Sequence, residues 1–163
     1  MINHITLFYT VAQIAGVFVG FGTLIAFTKP KHVTTAQQQA LTATVMAGLL
    51  VIVAALLPVL LFAYGVSPNT VWPVSAVVIL AINWATIWPQ RAPFLNALRR
   101  RNLWEIMLIF GMEMAVEVPL FLVLLPIFKA QSFPLYATTL VFSIVQAASL
   151  LMLLALDLTV TDD

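Results

Sequence analysis

Five long apolar runs, broken only by short polar or proline-bearing segments, leave this chain few ways to fold. They cover about residues 5–27, 41–64, 71–88, 106–127 and 135–156. A helix rises about 1.5 Å per residue, so about 20 residues match a hydrocarbon core about 30 Å thick. Lipid offers no partner for backbone N–H and C=O groups, and a helix satisfies them within itself. The expected fold is therefore all-α: an integral membrane bundle of five transmembrane helices, forming a single transmembrane domain over residues 1–163. Charge content agrees. Soluble domains carry about a quarter charged residues; this chain carries 8% and is 63% hydrophobic. The solvent for most of its surface is expected to be a lipid bilayer.

Punctuation supports these divisions. Lys29-Pro30-Lys31 ends the first run, and Gly65-Val66-Ser67-Pro68-Asn69 reads as a turn. Trp72-Pro73 is expected to open the third helix, where a proline in the first turn loses no donor, and Trp88-Pro89 to close it. Trp72 and Trp88 stand at its two ends, as interfacial anchors do. Gln131-Ser132-Phe133-Pro134 reads as a second short turn. Leu-Leu-Pro precedes both short turns, at 56–58 and 124–126, which admits a parallel repeat of helices 2–3 and 4–5. Pro58 frees the carbonyl of Ala54 and predicts a kink.

Basic residues set the orientation. Lys29, Lys31, Arg91, Arg99, Arg100 and Arg101 fall on one side of a five-span chain, and Lys129 on the other. The positive-inside rule then places the N-terminus outside and the C-terminus inside. The Arg99–Arg101 cluster reads first as a topology determinant and second as a site for anionic lipid head groups. Met1-Ile2-Asn3-His4 has no basic n-region, and the run behind it is longer than a signal-peptide core, so it is expected to be a retained span.

Much chemistry is excluded. There is no cysteine, hence no disulfide or thiolate site. Phosphate loops, zinc-ligand spacings and nucleophile elbows are absent. His4 and His32 fall on opposite membrane faces in this topology. No enzyme activity, cofactor or nucleic-acid partner is expected, and the metal question stays open. Function has to reside within the bundle or on its faces.

Helix 1 carries Ala12, Gly16 and Gly20 at intervals of four, with Gln13 beside them. In lipid, small residues let helix backbones approach closely. Such a face serves either a contact within the chain or an interface in a homo-oligomer or with another membrane protein.

Helix 4 places Glu113 and Glu117 one turn apart, on one face, near the middle of its apolar run. Two carboxylates in low dielectric cannot both stay ionised cheaply, and the pair is expected to share a proton. Pro119 leaves the carbonyl of Ala115 without its helical partner, and that carbonyl falls between the acids. Two carboxylates and a carbonyl suit a proton or a hard cation. Counted from the inner ends, Asn83 lies near the depth of Glu113, and Gln146 near that of Glu117. Thr139, Ser143, Gln146 and Asp157 share a face of helix 5. This polar row is either a hydrated path or a dry hydrogen-bonding seam.

The run G-V-F-V-G-F-G-T-L-I from Gly16, together with E-V-P-L from Glu117, resembles a group of small multi-pass prokaryotic membrane proteins with a glycine-rich first helix. The resemblance implies a prokaryotic inner membrane and supplies no site residues. The functional expectation rests on the acids: a small oligomeric channel or carrier for protons or cations. Glu113 and Glu117 would bind the ion, supported by Asn83, Gln146 and Ser143. The alternative is a non-transporting accessory or assembly subunit that uses the Ala12/Gln13/Gly16/Gly20 face.

Overall fold

The structure, a computed structural model, describes residues 2–28, 35–88 and 103–160. Those residues are helical apart from short turns: α1 (Ile2–Thr28), α2 (Thr35–Ala63), α3 (Pro68–Ile87), α4 (Leu103–Leu124), a 3-10 segment (Pro126–Gln131) and α5 (Ser132–Val160). No strand occurs among them. Four stretches are long and apolar enough to cross a membrane: Ile5–Ile25, Leu41–Ala63, Pro68–Thr86 and Pro126–Met152. Lys29, Lys31, His32, Arg91, Arg99–Arg101 and the Asp162-Asp163 tail lie outside the described residues, as do the side chains of His4 and Asp157.

Three local expectations are corrected. Helix α3 begins at Pro68, not at Trp72-Pro73. Pro68 occupies the first turn behind an extended Ser67, whose carbonyl accepts from the N–H of Thr70 (2.9 Å) and Val71 (3.0 Å). Pro73 therefore sits inside the helix. Helix α4 stops at Leu124 instead of running to residue 127, because Pro126 opens the 3-10 segment instead. Ser132-Phe133-Pro134 is the first turn of α5, where a proline's missing N–H costs nothing. The Leu-Leu-Pro echo also dissolves: Pro58 lies inside α2, whereas Pro126 follows the end of α4.

The end of α2 shows how sequence sets a boundary. Gly65 adopts φ +77°, a left-handed conformation that only glycine enters cheaply. That turn lets Val66 N–H reach the Leu61 carbonyl and Gly65 N–H reach the Phe62 carbonyl, both at 3.0 Å. The two bonds satisfy carbonyls that the helix end would leave open.

The chain forms two compact units. One comprises residues 1–59 and 143–163, the other residues 60–142, so α2 and α5 each contribute to both. In the first unit α1 and α2 meet through small residues. Gly48 of α2 lies against Val19 and the Ala15 carbonyl of α1, and Gly22 of α1 against Val45 and Thr44. In the second unit α3 packs against α4. Its core contains Val71, Ala76, Ile79, Leu80, Val116, Leu120, Val123 and Leu140. Large apolar side chains such as Val17, Phe21, Leu24, Leu60, Val77, Phe110 and Val141 point outward. Large hydrophobics facing outward suit a lipid solvent, and the small residues at Gly22 and Gly48 let the α1 and α2 backbones approach closely.

Candidate functional site

The polar centre of the second unit lies where α3 meets α4. Glu113 and Glu117 project from successive turns of α4, toward the face of α3 that carries Asn83. The Asn83 side chain donates from Nδ2 to Glu113 Oε1 and to Glu117 Oε1, both at 3.1 Å. A primary amide has two N–H groups, so one nitrogen serves both acids. Glu117 is buried, with 6% of its surface exposed, and Glu113 is half-buried. The Trp84 indole is a further hydrogen-bonding neighbour of Glu117. Thr86 Oγ1 donates to the Asn83 carbonyl at 2.7 Å, closing the last turn of α3 beneath the amide.

Depth counting paired Asn83 with Glu113 and Gln146 with Glu117; the first contact is present, with two differences. Asn83 joins both acids instead of matching Glu113 alone. Trp84 was missed; its one sequence signal is a polar N–H on the residue after Asn83, on a helix otherwise read for its terminal tryptophans.

Next to the Ala115 carbonyl that Pro119 is expected to free, another helix bonds the carbonyl of Val116. Thr139 of α5, buried, donates its hydroxyl to the Val116 carbonyl at 3.2 Å, and lies 3.4 Å from the Leu135 carbonyl of its own helix. Val116 is one residue beyond Ala115, within the turn that Pro119 disturbs. A hydroxyl from a neighbouring helix thus supports the weakened ladder directly beside Glu117.

Toward the Gly65 turn, half-buried Trp72 is part of an aromatic cluster. Its ring lies 5.5 Å from Phe62, 5.5 Å from Phe133 and 5.8 Å from Tyr136. Trp88, at the other end of α3, is exposed as expected. The fully buried Ser75 and Tyr136 are neighbours beneath the cluster, although Ser75 Oγ has no hydrogen-bond partner among the described residues.

The remaining expected residues fall in the first unit. Ser143 and Gln146 are both part-buried on α5. On α1, Gln13, Gly16 and Gly20 are exposed and Ala12 is intermediate. A Cβ added at Gly16 or Gly20 would meet nothing within 4 Å. Of the two uses expected for this series, a contact within the chain or an interface, no contact within the chain is described at Gly16 or Gly20, and the close approach of α1 to α2 is made at Gly22 and Gly48. Among the described residues no group of three or more His, Cys, Asp or Glu is placed to hold a metal ion.

The chain matches no protein-family model, no curated protein and no solved structure.

Proposed function

We propose that this chain is a multi-pass protein of a prokaryotic inner membrane in which Glu113 and Glu117 form the proton- or cation-binding site of a small oligomeric channel or carrier. In this reading α4 crosses the bilayer along with the four apolar stretches. The N-terminus is outside, and the arginine-rich loop and the C-terminus are inside. The observation that carries the reading is the Asn83 amide bonded to both carboxylates at 3.1 Å, inside a helix pair whose core is otherwise almost wholly apolar. A carboxylate inside a bilayer costs about 2.5–3.5 kcal/mol on insertion scales. Two of them on adjacent turns, without a Lys or Arg at their depth, are an expensive choice for simple packing.

Flux into proteoliposomes tests it. Wild-type protein should carry protons or monovalent cations, and the Glu113→Gln/Glu117→Gln double variant should lose that flux while staying folded, since a neutral amide is cheaper to bury than a carboxylate. Equal flux in the two proteins, or none in wild type, rejects transport.

A second reading is favoured by a different observation. A Cβ at Gly16 or Gly20 would meet none of the described residues within 4 Å, and Gln13 is exposed beside them. That face suits a partner helix, and an accessory or assembly subunit would use it without transporting anything.

A further inference from the structure

Resting on the reading of Glu113 and Glu117 as an ion site, the geometry points to a proton as the species it takes, with Asn83 as the residue that refuses a metal cation. A cation bridging two carboxylates sits between them and needs oxygen atoms around it. Here the position within 3.1 Å of both Oε1 atoms belongs to a nitrogen, Asn83 Nδ2, which presents N–H groups to the acids. A cation placed there would meet the positive end of the amide dipole and would displace both hydrogen bonds.

A proton makes no such demand. An ionised carboxylate has about four lone-pair sites, and Asn83 engages one on each acid. A proton adds to another lone pair of either acid and leaves again without moving the amide. The two N–H groups therefore hold the carboxylates in place in every protonation state. Among the described residues, α3, α4 and residues 132–142 contain no Lys, Arg or His, and Lys129 lies in the 3-10 segment. Two carboxylates also fall short of the ligand set that a hard divalent ion collects, usually six or more oxygens for calcium.

Infrared spectroscopy of the full-length protein in bilayers tests this independently of transport. Wild type should show the C=O stretch of a protonated carboxylic acid, absent from the Glu113→Gln/Glu117→Gln double variant. Sodium, potassium or calcium chloride should leave that band and the melting temperature unchanged. Asn83→Asp keeps the side chain's shape and exchanges the donor nitrogen for an oxygen. It should acquire calcium binding at least tenfold tighter than wild type. The proposal is overturned if wild type shows no protonated-acid band across the pH range. It is equally overturned if a salt shifts the wild-type band or melting temperature and the double variant loses that response. Those wild-type measurements decide the matter even where Asn83→Asp does not fold. A cation-insensitive band in a protein without flux leaves the proton site standing and rejects transport alone.

Discussion

Of the six glycines in this chain, only Gly22 and Gly48 carry packing among the described residues. A Cβ at Gly48 would stand 2.5 Å from Val19 Cγ2 and 3.4 Å from the Ala15 carbonyl; at Gly22 it would stand 3.2 Å from Val45 Cγ2; at Gly16 and Gly20 it would meet nothing. Valine is stiff at χ1, so Val19 cannot swing clear of a side chain at 48. Gly48→Leu should therefore destabilise the protein by about 1–3 kcal/mol or more, the usual cost of overpacking. Gly16→Leu should stay within about 0.5 kcal/mol of wild type, as substitutions away from packed features do. Thermal unfolding in detergent compares the two. If α1 mediates the proposed oligomer, the folded Gly16→Leu protein should also elute at lower mass by light scattering. Unchanged mass removes that face from the oligomer.

Helix α4 keeps its course through Pro119, although the proline removes one ladder bond and crowds the turn before it. The hydroxyl of Thr139 lends a bond from α5 at Val116, beside the turn that carries Glu117. Thr139→Val keeps the shape and loses this donor. It should cost about 0.5–1.5 kcal/mol, the net worth of one hydrogen bond, and Thr139→Ser should restore most of it. Pro119→Ala rebuilds the ladder, so the cost of Thr139→Val should shrink in that background. A double-mutant cycle on unfolding free energies reads the coupling. Additive effects would mean that Thr139 supports α4 independently of the proline.

For the molecule as a whole, orientation is the testable property. Six basic residues are assigned to one side and Lys129 to the other. Ser67 is exposed in the turn between α2 and α3. Asn96 falls in the loop that the charge pattern places inside. Cysteines introduced singly at these positions, into a chain that has none, should react with an impermeant reagent from opposite sides of the membrane. Labelling from the same side would reject five crossings. The large hydrophobics that stay exposed, Phe21, Leu24 and Phe110 among them, fit the membrane that the four long apolar stretches suggest.

Helix content and four stretches able to cross a membrane were legible in the sequence because both are local properties; the fifth expected run, 106–127, is not among those four. An apolar run is matched to the bilayer by its length alone, and the Gly65 turn is set by the one residue that takes φ +77° without strain. Depth was legible too, since residues along a helix count as distance, and this brought Asn83 to the level of the acids. What counting cannot supply is rotation about the helix axis and the identity of the neighbour. Those are set when whole helix faces pack. Only the tertiary structure decided that one Asn83 nitrogen bridges both carboxylates, that Thr139 meets Val116, and that Trp72 joins Phe62, Phe133 and Tyr136. The same packing chose Gly22 and Gly48 for close approach and left Gly16 and Gly20 open. A glycine is equally small wherever it stands, and only the helix lying against it makes that smallness count.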